Sequence, residues 1–138
     1  MIIESIRNYF LSSPLIDDDK RINVDYLGVD ALDYTIDSVP AEKVITKYVG
    51  GDTLNQYVFS FGSREYYGAD TLQNIENSGF YERFATWIET ENAAGNFPIL
   101  TGNKKSVGME ILTSGYLFDA SESTAKYQIQ LRLIYYEN

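Results

Sequence analysis

The sequence predicts an α+β domain: an antiparallel or mixed β-sheet packed against one long helix and one short N-terminal helix. Three stretches carry that prediction. AKYQIQLRLIYYEN, at the end of the chain, alternates Tyr127, Ile129, Leu131, Leu133 and Tyr135 with Lys126, Gln128, Gln130, Arg132 and Ile134, the two-residue period of a strand. LNQYVFSFGS, residues 54–63, sets Tyr57, Phe59 and Phe61 against Gln56, Val58 and Ser60 in the same way. Between these strands Phe80, Phe84, Trp87 and Ile88 return at helical spacing. Long strands on both sides of one helix point to an antiparallel or mixed sheet with helices packed on it, an α+β domain. The 138 residues are read as one domain, a size at which roughly 70% of the unfolded chain's surface is buried.

The elements follow in order. Ile2, Ile3, Ile6, Tyr9 and Phe10 share a helical face, and Ser12, Ser13 and Pro14 end it. IDDDKR, residues 16–21, reads as a charged, solvated turn, because adjacent aspartates in extended chain point to opposite faces and no glycine turn gathers them around a cation. INVDYLGV (22–29) and YTIDSVP (34–40) read as short strands, the second ended by its proline. VITKYV (44–49), the turn GGDT and the return strand 54–63 read as a hairpin. Asp70 offers a helix N-cap, with Gln73 completing a capping box. Leu72 and Ile75 begin the apolar stripe of a helix of about 20 residues, with a kink expected at Ser78-Gly79 and closure at Gly95 and Pro98. TGNKKS (101–106) reads as a polar loop before a strand with Val107, Met109 and Ile111 on one face. GYLFDASEST (115–124) holds a short apolar piece and an acidic turn.

Composition narrows the chemistry. The chain has no cysteine and no histidine, which removes disulfides, thiolate nucleophiles, sulfur-based metal sites and the commonest general base. Twenty acidic against 11 basic side chains give a net charge of −9, which repels phosphate backbones. The opening MIIESIRNYFLSS has too few consecutive apolar residues for a signal sequence or a membrane span, so a soluble, intracellular protein is expected. No glycine pattern cradles a phosphate, and no cofactor is expected. A carboxylate pair drawn from Glu65, Asp70, Glu76 and Glu82 is the remaining enzymatic reading, but Asp70 has a capping role and the helical glutamates fit a solvated face. Lys104 and Lys105 show no apolar pocket to depress their pKa.

Twelve tyrosines in one small chain suit surfaces that are wet when free and buried when assembled, although tyrosine also favours strands. SREYYGAD, residues 63–70, reads as the junction from long strand to helix, and Arg64, Glu65, Tyr66 and Tyr67 are the contact residues expected there. The polar side of the last strand, with Gln128, Gln130 and Arg132, is the second candidate surface. No catalytic residue is expected.

SREYYGADTLQNIENSGFYERFATWIE, with the opening IIESIRNYF, the middle VDYLGV and the ending TSGYLFDASESTAKYQIQLRLIYYE, resembles the tail-terminator family of long-tailed bacteriophages and prophages of Gram-positive bacteria. Relatives often carry the label minor capsid or minor tail protein. The resemblance implies a small α+β subunit that closes into a hexameric ring on the head-proximal end of the tail tube. There it stops tube polymerisation and presents a joining surface to head-completion proteins. It implies a virion location after assembly in the host cytoplasm, and DNA that passes through the lumen without specific binding. Another neck or connector component, or a minor capsid component, is the alternative within the same class. A small carboxylate-dependent enzyme is the alternative outside it.

Overall fold

Each long strand foreseen in the sequence runs for 14 residues, and the two are partners. In the computed structural model, which describes residues 1–16, 22–25, 33–67, 71–121 and 123–138, β4 (Thr53–Tyr66) pairs antiparallel with β7 (Thr124–Glu137) along its whole length, from Thr53 opposite Glu137 to Tyr66 opposite Thr124. Shorter strands flank this pair end to end. β2 (Tyr34–Ser38) and β3 (Val44–Lys47) share the outer edge of β4, while β5 (Lys104–Ile111) and β6 (Tyr116–Ala120) share the outer edge of β7. β1 (Ile22–Val24) adds to β2 in parallel, so the seven-stranded sheet is mixed. Two helices, α1 (Ile2–Leu11) and α2 (Thr71–Ala94), complete the α+β architecture among the described residues. Neither is long and apolar enough to cross a membrane.

The alternation read in the sequence decides which face is buried. Tyr127, Ile129, Leu131, Leu133 and Tyr135 of β7 are all within 5% exposure, and they lie beside Phe59 and Phe61 of β4, which are fully buried. Both helices lie on this face. α1 contributes Ile6 and Phe10, and the Phe10 ring meets Phe59, Phe61, Phe84 and Trp87 at centroid distances of 5.1–6.3 Å. α2 contributes Tyr81, Phe84 and Ile88, with Phe84 stacked on Phe61 at 4.7 Å. Aromatic pairs in these geometries add to the burial of apolar area, the main driving force for folding.

Helix α2 ends as its sequence says. Gly95 takes φ +75, its N–H bonds Asn92 O at 3.1 Å, and the Asn96 N–H bonds Glu91 O at 2.9 Å. This paired closure satisfies two carbonyls left over at the helix end and calls for a residue without a Cβ. The stripe itself departs from expectation at its start. Ile75 is 60% exposed, because it lies nine residues before Phe84, which at 100° per residue puts it on the opposite side of the helix. Asn77 takes the inward position and donates from Nδ2 to Tyr66 O at 2.6 Å.

Two further expectations are corrected. Lys104 and Lys105 belong to β5 rather than to a loop, because they pair with Glu137 and Tyr136. Val107 does not share the inner face with Met109: the register shifts between Ser106 and Gly108, and the extra residue of this bulge leaves Val107 50% exposed while Met109 is buried. The expected strand at 22–29 ends at Val24, its remainder from residue 26 lying outside the described residues, as do the turn at 17–21 and Asp70. The side chain of its capping partner Gln73 is likewise not described. α2 continues unbroken through Ser78-Gly79.

Candidate interaction surface

The face of the sheet turned away from the helices carries the even-numbered residues of β4 and β7. No helix lies on it among the described residues. Its side chains form cross-strand polar contacts rather than a second core. Arg132 reaches both neighbouring strands, donating from Nη1 to Gln56 Oε1 at 2.9 Å and from Nη2 and Nε to Glu110 Oε2 at 2.8 and 3.1 Å. Two donors of one planar guanidinium on a single carboxylate fix its direction better than a point charge does. Gln128 donates from Nε2 to the Tyr116 hydroxyl at 2.6 Å, and Gln130 does so at 3.4 Å.

Lys126 spans the middle of this face. Its ammonium lies 3.4 Å from Asp37 Oδ2 on β2 and 5.1 Å from the centroid of the Phe118 ring. To reach Asp37 the side chain crosses β4 at Gly62, where a Cβ would fall 3.2 Å from Lys126 Cε and 3.2 Å from the Tyr127 carbonyl. The glycine is therefore what lets the lysine lie flat. Asp37 also accepts from the Thr35 hydroxyl at 3.0 Å. Such contacts are individually weak where water reaches them, but together they hold long side chains in one arrangement before any partner arrives.

The residues singled out from sequence separate into two groups. Arg64, Gln128, Gln130 and Arg132 share the open face by strand parity, and Arg64 Nη1 lies 3.4 Å from Thr124 Oγ1. Glu65 does not join them. The strand continues to Tyr66 instead of stopping before Arg64, so alternation turns Glu65 towards the helices, where it is 7% exposed and its charge helps to raise the Tyr81 pKa. Gln128 is also buried, at 6%, beneath its contact with Tyr116. Glu65 and Gln128 are thus part of the subunit's own packing and are not offered at its surface, contrary to the sequence reading. Tyr66 is 56% exposed, whereas Tyr67 packs partly against the core.

Sequence reasoning missed Lys126, Asp37, Glu110 and Tyr116 as members of this surface. Lys126 was legible from the period of β7, but the other three reach the face only through pairing of strands distant in sequence.

The buried titratable groups sit elsewhere. Tyr81 is fully buried, and desolvation holds its pKa well above the usual phenol value, with the Glu65 charge adding to the rise. At the far end of the sheet Glu137 accepts from Lys43 at 3.2 Å, with Lys104 at 3.6 Å. The hydrogen bond from Lys43 is the main reason that its carboxyl is held below the ordinary value. Of the carboxylates considered for acid–base work, Glu76 and Glu82 are exposed on α2 and Glu65 is buried. No group of three or more potential metal-ligating side chains occurs among the described residues.

No protein-family model matches this chain, and no curated protein matches it.

Proposed function

We propose that this chain is a structural virion protein, the tail terminator of a long-tailed phage, prophage or phage-tail-like particle. Copies of it close into a hexameric ring on the head-proximal end of the tail tube. The ring stops polymerisation of the tube and offers its other side to head-completion proteins. The observation that carries this reading is the division of the sheet into one helix-covered face and one polar face, without a helix among the described residues, ordered by Arg132, Lys126, Gln130 and Tyr116. A sheet face that is polar, held in place and free of helices suits a partner that arrives as a repeating surface, as a tube end does. The resemblance of SREYYGAD and the flanking segments to the tail-terminator family supports the same reading. The net charge of −9 suits a lumen through which DNA passes without adhering.

The test is electron microscopy of the purified protein mixed with tail tubes. Six-fold density capping one end of each tube, together with arrest of tube elongation, is the expected result. Tubes that elongate unchanged and remain uncapped would remove the reading.

A further inference from the structure

The two ends of the central strand pair differ in a way that suits one copy of the chain to the next. At the Glu137 end, register collects Lys43, Lys47, Lys104 and Lys105 in a protein whose net charge is −9. Here β2 stops and β3 begins along the edge of β4, and the gap opens a cavity of about 440 Å³. Val39, Ala41, Tyr57 and Tyr135 line it, and Lys43 and Lys104 stand at its rim. Glu137 lies between these two lysines and answers one positive charge, so the rim remains cationic.

At the opposite end, β6 projects beside the start of β7 and exposes two large apolar side chains, Leu117 at 43% and Phe118 at 56%, followed by Asp119. One oxygen of Asp119 accepts from the Ala120 N–H at 2.9 Å, which fixes the carboxylate beside these two side chains. The neighbouring Lys126 pairs with Asp37 at 3.4 Å and flanks the Phe118 ring, 5.1 Å from its centroid, rather than pairing with Asp119. An apolar knob ending in a carboxylate thus complements an apolar cavity rimmed by ammonium groups.

A single copy cannot make this contact within itself. Asp119 lies opposite Lys126 in the strand register, and Tyr135 in the cavity wall lies nine residues further along the same strand at about 3.3 Å each, or about 30 Å away. We infer that Leu117 to Asp119 of β6 in one copy insert into the cavity rimmed by Lys43 and Lys104 of a second copy. The contact is head-to-tail: each subunit gives one knob and receives one, the type of interface that closes into a ring when its rotation allows. It rests on the ring reading for that closure, while the pairwise contact stands independently of it.

Two kinds of blocked subunit test the contact. Phe118→Ser with Asp119→Lys removes the knob; Lys43→Glu with Lys104→Glu reverses the rim, and Ala41→Trp fills the cavity without altering charge. Ala41, Phe118 and Asp119 are exposed, so the knob variant and Ala41→Trp should melt close to the unmodified protein, whereas the rim reversal sets two carboxylates beside Glu137 and should melt lower. Native mass spectrometry over a concentration series should show oligomers for the unmodified chain and monomers for each blocked variant alone. A mixture of knob-blocked and cavity-blocked subunits should give one species of two copies and nothing larger, since only one productive contact remains.

A chain that stays monomeric up to its solubility limit overturns the inference. So does either blocked variant that assembles like the unmodified protein, or a mixture that yields no dimer. Capping of tail tubes by blocked variants would discard this contact while leaving the ring reading in place. Obedience to the mixing rule by a protein that never caps tubes would do the reverse.

Discussion

The hydroxyl of Tyr81 on α2 donates to the backbone carbonyl of Tyr127 in β7 at 2.9 Å, and the Ser63 hydroxyl on β4 lies 2.6 Å from the same oxygen. A phenol has one proton, so with Tyr127 as its acceptor it receives the hydrogen bond from Ser63. The helix is thereby tied to both central strands through one buried atom.

Tyr81→Phe leaves the Tyr127 carbonyl and the Ser63 hydroxyl buried without that partner. The expected loss is about 1–3 kcal/mol in denaturant unfolding. The phenol's folded pKa is raised by burial, so its contribution is present below the ordinary value of 10.0 and is lost as pH rises through the folded value. Stability of the unmodified protein should therefore fall above about pH 10, and less steeply in Tyr81→Phe. An unchanged alkaline slope would show that Tyr81 is not the group responsible.

Gly115 lies against the same tyrosine. A Cβ there would fall 2.9 Å from Tyr81 Cδ1 and closer still to Cβ and Cγ. Gly115→Ala should cost about 1–3 kcal/mol, because the ring cannot retreat without breaking its two hydrogen bonds. Thermal denaturation of the single variant reads this directly, and an unaltered melting temperature would refute it.

Phe10 joins the helices to the sheet through four aromatic neighbours. Phe10→Ala should destabilise by about 3–5 kcal/mol, combining lost burial with a cavity among rings too rigid to close it. Chemical denaturation should show the midpoint moving down.

At the Glu137 end the sign is that of an acid. Its folded pKa lies below the ordinary 4.5 through the hydrogen bond from Lys43, so its contribution is present above that value and is lost as pH falls through the folded pKa. Lys43→Ala should flatten the acid limb of a stability–pH curve below about pH 4.5 by slightly lowering the neutral plateau, while the strongly acid region, where Glu137 is protonated in both states, stays the same. Parallel acid limbs in the two proteins would show that the pair is energetically silent.

The open face makes a functional prediction. Arg132→Glu sets a carboxylate beside Glu110 and Gln56, at a cost to stability of up to about 1 kcal/mol. It should nonetheless abolish tube capping, because the side chain that organises the face is reversed in charge. Tubes capped as well by the variant as by the unmodified protein would exclude this face as the contact.

Periodicity made the covalently local half of this structure legible. The alternation of β7 named five of its seven buried residues, the helical spacing of α1 placed Ile6 and Phe10 inside, and Gly95 marked the end of α2. Where the sequence reading failed, the cause was non-local. Arg64 and Glu65 look like loop residues until β7 is seen to extend the ladder to Tyr66, and Val107 looks inward until the bulge opposite Tyr135 turns it out. Glu65 illustrates the point: a charged residue in a polar run is ordinarily exposed, and only its parity in the extended strand carries it under the helix.

By itself the sequence determined the α+β class, the inner faces of β7 and α1 and the kinds of chemistry for which side chains are lacking. These depend on residue type and on spacing within one segment, which the chain carries whatever its neighbours are. The tertiary structure decided the rest. It alone brought Asp37, Lys126 and Glu110 onto one face, set Lys43 beside Glu137, and left a cavity where β2 gives way to β3. Those relationships arise from which strands pair and in what register, and register is a property of two segments together that neither contains alone.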